Sequence, residues 1–209
     1  MRLNLLVSPL HQVAEQTNAM LSQYRANTQA SRRPVISNGN GGNRWRAPQV
    51  GFVKVNFDGA VFGDSNKSSV GIIIKDNNGA VLASCSKKKK KIKANKAEEI
   101  EALAALKALT FAHELGFQNV ILEGDALSLI QALKSQEQNL CPLGLLGEDV
   151  KVYANNFRRL LYSHVKRNNN SVIHILVKHA ICILDFQVWM EDIPPHIVSF
   201  LHSDVIQLP

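Results

Sequence analysis

Apolar and polar side chains alternate along residues 53–60, and this alternation predicts a β-strand. One face would carry Val53, Val55 and Phe57, and the other would carry Lys54, Asn56 and Asp58. Gly59 and Ala60 follow, so no bulky side chain crowds the last carboxylate. A buried carboxylate needs a hydrogen-bonding partner or a cation. Asp58 is therefore either a strand-end residue hydrogen-bonded to a nearby turn or a ligand of a metal ion.

The hydrophobic pattern after this strand predicts two further strands and then an alternation of helices and strands. Strands are predicted at 70–74, 80–83, 119–123 and 161–165, and helices at 96–115, 126–134, 142–161 and 171–183. Short polar turns favour antiparallel pairing of the first three strands, whereas strands separated by helices pair in parallel. The predicted fold class is α/β. Its sheet is mixed and five-stranded (three antiparallel strands, then parallel strands) and is flanked by helices, with a loosely ordered tail after residue 183.

The beginning of the chain differs in composition from the rest. Residues 9–26 have apolar positions at helical spacing, whereas residues 28–49 are rich in Asn, Gly, Ser and Arg. The latter composition is typical of a flexible linker. The predicted organisation is an amino-terminal helical segment (1–27), a flexible linker (28–49) and one domain (50–209) large enough for its own hydrophobic core.

Two further carboxylates are candidates for the same site as Asp58. Glu101 lies on the apolar face of the predicted helix 96–115, where a charge needs a partner or a cation. The other residues of that face are Ala104, Ala105, Ala108, Leu109 and Ala112. Asp125 follows the predicted strand 119–123. It would be either the N-cap of the next helix or a site residue at the carboxyl end of a parallel strand.

The convergence of these three carboxylates would point to bound cations. Three carboxylates at one place repel each other unless divalent ions lie between them. A set of ligands made only of oxygen atoms favours Mg²⁺ or Mn²⁺. Two such ions about 4 Å apart can activate a water molecule and stabilise a leaving oxygen in phosphodiester hydrolysis.

The charge of the chain is compatible with a polyanionic partner. The 209 residues carry a net charge of +7, and five consecutive lysines follow the third predicted strand: Lys87, Lys88, Lys89, Lys90 and Lys91. These lysines would either bind nucleic acid or form a solvated strand end that discourages edge-to-edge pairing.

Two further observations concern the compartment. No apolar run reaches the length of a membrane-spanning helix, so no membrane partner is expected. The three cysteines are odd in number and lack metal-ligand spacing, which is typical of reduced core residues in an intracellular protein. The expected location is therefore intracellular, in the nucleus or the cytoplasm.

Several short motifs, taken in order, resemble the type 1 ribonuclease H family. The resemblance is greatest to plant ribonuclease-H-like domains derived from non-LTR retroelement reverse transcriptases. The matching segments are 54–60 (KVNFDGA), 71–76 (GIIIKD), 101–105 (EALAA), 123–125 (EGD), Arg167 with Asn170, and 188–195 (VWMEDIPP). Each motif is short, but the ordered set covers about three quarters of the chain. The predicted order of strands and helices agrees with the fold that the resemblance implies.

The resemblance implies a divalent-metal-dependent endonuclease that hydrolyses the RNA strand of RNA–DNA hybrids. Asp58, Glu101 and Asp125 would be catalytic residues that ligate two Mg²⁺ or Mn²⁺ ions. The family's fourth carboxylate lies four residues after the Asn that opens the last helix. Counting from Asn170 gives His174, which would be the fourth catalytic residue although neutral histidine is a poorer Mg²⁺ ligand than a carboxylate.

The histidine and a shortened loop before Asn170 support an alternative function. A catalytically weak or inactive nucleic-acid-binding module of retroelement origin would keep the fold and the lysines but not the chemistry. A third interpretation is a retroelement remnant that persists by descent. Salt-sensitive binding of RNA–DNA hybrids without cleavage would distinguish the binding module from the enzyme.

Overall fold

The computed structural model describes residues 46–63, 67–90, 97–135, 142–183, 185–198 and 200. The helix predicted at 9–26 and the linker up to Trp45 lie outside these ranges. Within them, a mixed β-sheet carries helices on its faces, as the sequence pattern predicts. Among the described helices, none has the length and apolar character needed to cross a bilayer.

The strands and helices follow one another in the predicted order. The strands are β1 (Val53–Phe62), β2 (Lys67–Lys75), β3 (Val81–Lys90), β4 (Asn119–Gly124), β5 (Arg159–His164) and β6 (Phe186–Met190). The helices are α1 (Ala97–Glu114), α2 (Leu127–Lys134), α3 (Pro142–Ala154) and α4 (Ser171–His179). Three short 3₁₀ segments span Arg167–Asn170, Ala180–Cys182 and Pro195–Ile197.

Six strands form the sheet, in the order β5-β4-β1-β2-β3-β6. The first three strands pair antiparallel, while β4 pairs in parallel with both β1 and β5, as predicted. The prediction of five strands is wrong by one, because residues 186–190 form β6 instead of a loosely ordered tail. No local pattern indicates β6, since its hydrogen-bonding partner β3 lies about a hundred residues earlier in the chain.

The predicted boundaries of two helices also differ from the structure. Helix α3 ends at Ala154 instead of residue 161, because a turn at Asn155 and Asn156 leads directly into β5. Helix α4 ends at His179, and a 3₁₀ segment continues the chain to Cys182. Strands β4 and β5, by contrast, begin and end close to their predicted positions.

The described cysteines occupy different environments. Cys85 is buried in the core, as predicted, whereas Cys182 is exposed. The prediction that all three cysteines are core residues is therefore wrong for Cys182, and Cys141 lies outside the described ranges.

Two hydrophobic cores cover the two faces of the sheet. On one face, the predicted apolar stripe of α1 packs against β1, β2 and β4. Its fully buried members are Ala104, Ala105, Ala108, Leu109 and Ala112. On the other face, α4 packs against β2, and Ile193 and Ile197 of the carboxyl-terminal segment complete its core. The two helices thereby bring polar side chains toward β1 from opposite faces.

Candidate active site

Asp58 lies in β1 and is only 3% exposed. Its neighbour Phe57 faces the α1 core, so the strand directs Asp58 to the opposite face, where α4 lies. The Nδ1 atom of His174 lies 2.9 Å from Asp58 Oδ2. The carboxylate predicted from the strand pattern is therefore buried and has a hydrogen-bonding partner.

Glu101 reaches the same place from α1 because the helix approaches β1 closely at Gly59. A Cβ atom on Gly59 would lie 2.7 Å from Cγ2 and 2.8 Å from the carbonyl oxygen of Ile100, so a larger residue would push α1 away. Glu101 shares a hydrogen bond with Asp58 and accepts one from the backbone N–H of Gly59. Its neighbour Glu98, one turn earlier, is exposed.

Asp125 comes from the end of β4, the parallel neighbour of β1. The last paired residues of the two strands are Asn56 and Glu123, and both site aspartates lie two residues beyond them. The alternative in which Asp125 is the N-cap of the next helix is wrong. Ala126 holds the N-cap position of α2, and it makes no side-chain capping hydrogen bond.

The three predicted carboxylates converge in the structure. One carboxylate oxygen from each of Asp58, Glu101 and Asp125 lies within 4.8 Å of the others. Burial, together with the charges of the two aspartates, raises the pKa of Glu101 to about 9. Burial likewise raises the pKa of Asp58, although the hydrogen bond from His174 opposes this effect.

The donor atoms of the cluster suit a divalent cation. Glu101 Oε2 and Asp125 Oδ1 are buried, and neither has a hydrogen-bonding partner among the described residues. An unpaired buried oxygen is costly unless a cation or a water molecule satisfies it. The cluster supplies oxygen ligands only, which Mg²⁺ and Mn²⁺ prefer.

His174 lies at the site, as the resemblance implies, but outside the group of potential metal ligands. The three carboxylates form that group, while the histidine contacts it through Asp58. On the other side of the ring, Nε2 lies 3.4 Å from Nη2 of Arg167. His174 is therefore placed to orient Asp58, and its role as the fourth catalytic residue stays a prediction.

The predicted nucleic-acid-binding lysines occupy the end of β3, and the two described side chains differ. Lys87 Nζ lies 5.9 Å from the ring centroid of Phe186 in β6. Lys88 Nζ donates hydrogen bonds to the carbonyl oxygens of Ile181 (2.8 Å) and Ile183 (3.1 Å), which fix the end of the helical segment. The side chains of Lys89 and Lys90, and all of Lys91, lie outside the described part of the structure.

A buried polar network that the sequence did not predict lies directly behind the site. Glu123 Oε2 accepts hydrogen bonds from Lys54 Nζ (2.9 Å) and Ser163 Oγ (2.8 Å). Its Oε1 accepts a hydrogen bond from Asn56 Nδ2 at 3.0 Å. The network joins β1, β4 and β5. The signal in the sequence was the polar face of β1, where Lys54 and Asn56 precede Asp58 at two-residue spacing.

Comparisons with known proteins agree with this architecture. A family model described as "Reverse transcriptase-like" matches residues 56–180. RNase H1 from the halophilic archaeon Halobacterium salinarum is 23% identical, with a TM-score of 0.57, and the match covers 63% of this chain and 98% of that one. The N-terminal RNase H domain of a Mycobacterium tuberculosis protein is 21% identical, with a TM-score of 0.55, over 63% and 94% of the two chains.

A further solved structure with this fold contains nucleic acid. LC11-RNase H1, isolated from compost, was solved in complex with an RNA/DNA hybrid. It is 20% identical, with a TM-score of 0.52, and the match covers 62% of this chain and 96% of that one. No curated protein sequence matches the chain significantly. At these identities, the likeness to the solved structures shows the fold.

Proposed function

Because this chain belongs to the reverse transcriptase-like family and has a ribonuclease H-like fold, we propose that it is a divalent-metal-dependent endonuclease. It would cleave the RNA strand of RNA–DNA hybrids. The observation that carries this proposal is the convergence of Asp58, Glu101 and Asp125 where β1 and β4 part. The hybrid bound by LC11-RNase H1 supports the choice of substrate.

Asp58, Glu101 and Asp125 would hold two Mg²⁺ or Mn²⁺ ions. Bound there, the ions would lower the pKa of a water molecule and neutralise charge that develops on the phosphate oxygens. The carboxylates' own task is to supply negative charge at fixed positions. Burial and the neighbouring carboxylates raise the pKa of Glu101 to about 9, so its carboxyl group holds a proton in the metal-free protein. That proton is released when a cation binds to the carboxylate.

His174 acts on the site through Asp58. Its ring holds one oxygen of that carboxylate at 2.9 Å and so restricts the rotation of the carboxylate. Oriented carboxylates bind a cation with less loss of conformational freedom than mobile ones do. The histidine thus supports the ligand set from outside it.

The proposed substrate fits the charge of the chain. Ribonucleases of this type would recognise the 2′-hydroxyl groups and phosphates of the hybrid more than its base sequence. A net charge of +7 attracts such a polyanion, and the affinity is expected to fall as salt concentration rises.

Two glutamates on one helix provide a matched test of this proposal. Glu101→Gln removes a cluster carboxylate, whereas Glu98→Gln removes an equal charge from an exposed position one turn earlier. Glu101→Gln is expected to lower the cleavage rate of a labelled RNA–DNA hybrid by at least about 100-fold, the scale of losing one electrostatic group at a reacting centre. Equal rates for the two variants would contradict the assignment of Glu101.

A second function, a nucleic-acid-binding module without cleavage, is favoured by one observation. Both ring nitrogens of His174 face protein groups, so the position of a fourth carboxylate is filled by a hydrogen-bonding residue. If the protein binds the hybrid but does not cleave it, His174→Asp becomes the decisive variant. The added carboxylate is expected to raise the affinity for Mg²⁺, measured by calorimetry, and unchanged affinity would contradict this reading of the position.

A further inference from the structure

The turn before α4 carries basic and amide side chains that the proposed chemistry does not use. Residues 166–170 have the sequence Lys-Arg-Asn-Asn-Asn. Asn170 is buried and donates a hydrogen bond from Nδ2 to the carbonyl oxygen of Phe57 at 3.2 Å, which fixes the turn beside the residue that precedes Asp58. Arg167, by contrast, is exposed. The turn is therefore anchored at one end and presents a cation at the other.

The guanidinium of Arg167 lies beside the carboxylate cluster without being neutralised by it. Its Nη2 atom is 3.4 Å from His174 Nε2, and only the imidazole ring separates it from Asp58. Among the described residues, Arg167 has no acidic partner. An arginine has five N–H donors, so one long contact leaves most of them available.

The contacts of the His174 ring fit one of its tautomers. A guanidinium can only donate, so a hydrogen bond from Arg167 requires Nε2 to be the acceptor. In that tautomer Nδ1 carries the ring hydrogen and donates to Asp58 Oδ2. The ring thus lies between Arg167 and the cluster and contacts a residue on each side.

We propose that Arg167 binds a backbone phosphate of the nucleic-acid substrate, next to the phosphate that lies at the carboxylate cluster. The planar guanidinium matches two oxygens of a phosphate, and an exposed arginine with unused donors is suited to such a contact. Because the ring of His174 offsets Arg167 from the cluster, its ligand is the neighbouring phosphate along the strand. This inference rests on the proposed function, since it requires a nucleic acid at the site.

Equilibrium binding to a fluorescent RNA–DNA hybrid tests the inference without requiring cleavage. The full chain carries Asp58→Asn in every sample so that the hybrid stays intact, and Mg²⁺ is present. Arg167→Ala is compared with Arg159→Ala, which removes the same charge from an exposed position. Arg159 pairs with Asn119 at the opposite end of β4 from Asp125, and it therefore serves as the matched control.

Arg167→Ala is expected to weaken hybrid binding about tenfold and to reduce the slope of log K against log[salt] by about one. Arg167→Lys keeps the charge, so it should keep the slope while losing part of the affinity. The melting temperature of the Arg167 variants should equal that of the parent, because the side chain is exposed.

Three other outcomes would overturn the inference. Equal affinities and slopes for Arg167→Ala and Arg159→Ala, with parental binding intact, would reject Arg167 as a phosphate contact and leave the proposed function standing. A loss of affinity in Arg167→Ala with an unchanged salt slope would also reject it, because removing a phosphate-binding cation lowers the slope. A parent protein that binds no hybrid would overturn the inference and the proposed function together.

Discussion

At the scale of single residues, Glu101 occupies an environment that is costly for a carboxylate. The side chain is half-buried between two aspartates, and its Oε2 atom lacks a partner among the described residues. Proteins place a carboxylate in such a position when a ligand compensates the cost. The cost itself can be measured in the metal-free protein.

Glu101 predicts a specific pH dependence of stability in the metal-free protein. Its pKa is about 9 in the folded state, against an ordinary value of 4.5. Between these two values the folded protein keeps a proton that the unfolded chain has released, so the free energy of unfolding falls as pH rises. Glu101→Gln is expected to flatten this dependence and to raise the melting temperature in EDTA at pH 8.

Thermal unfolding between pH 5 and pH 9, with and without Mg²⁺, measures this effect. Glu98→Gln is the control and should leave the curve unchanged, because Glu98 is exposed. Saturating Mg²⁺ should stabilise the natural protein more at pH 8 than at pH 6, since the bound cation favours the ionised carboxyl. A melting temperature that rises steadily with pH in EDTA would contradict the account.

At the scale of strands and helices, close packing determines where the carboxylates meet. Gly59 lets α1 approach β1, and Gly124 leaves room for the ring of Phe57, which would lie 2.5 Å from an added Cβ. The buried network around Glu123 then joins β1, β4 and β5 just behind the site. These contacts align the strand ends that carry Asp58 and Asp125.

The Lys54–Glu123 ion pair predicts strong coupling between two substitutions. Both side chains are only 6% exposed, so Lys54→Met would leave a buried carboxylate without its cation, at a cost of about 3–5 kcal/mol. Adding Glu123→Gln removes the charge but keeps an acceptor for Asn56 and Ser163. The double variant should therefore recover more than half of the lost stability.

Urea unfolding of the two single variants and the double variant measures this coupling. A free-energy loss in the double variant equal to the sum of the two single losses would show that the pair is not coupled. The partly exposed pair of Lys151 and Glu148 in α3, at 2.9 Å, is the comparison. Its coupling should stay below about 1 kcal/mol, because ion pairs that water can reach contribute little.

At the scale of the whole molecule, a feature is predictable from the sequence when the residues that form it lie close together along the chain. Asp58 follows from a period-two pattern and Glu101 from a helical face, and both patterns are local. Asp125 required the order of the strands, which the alternation of helices and strands supplied. Strand β6 depends on a partner about a hundred residues away, and no local pattern indicates it. The polar face of β1 signals buried polar residues, but it does not identify Glu123, which lies 69 residues from Lys54, as their partner.

The position of His174 was predictable from the sequence, but its contacts were not. The position follows from counting four residues after Asn170. The contacts depend on how α4 packs across β2, which places one ring nitrogen at Asp58 and the other at Arg167. Residue positions within a motif are thus predictable from the chain, whereas hydrogen-bonding roles require the packed structure.

Cleavage of a labelled RNA–DNA hybrid tests the central claim most directly. The natural protein and Asp58→Asn are each incubated with the hybrid in Mg²⁺, and then in EDTA. The account predicts cleavage of the RNA strand by the natural protein in Mg²⁺ alone, and loss of that cleavage in Asp58→Asn. Cleavage that persists in EDTA or in Asp58→Asn would contradict it, as would an intact hybrid after incubation with the natural protein.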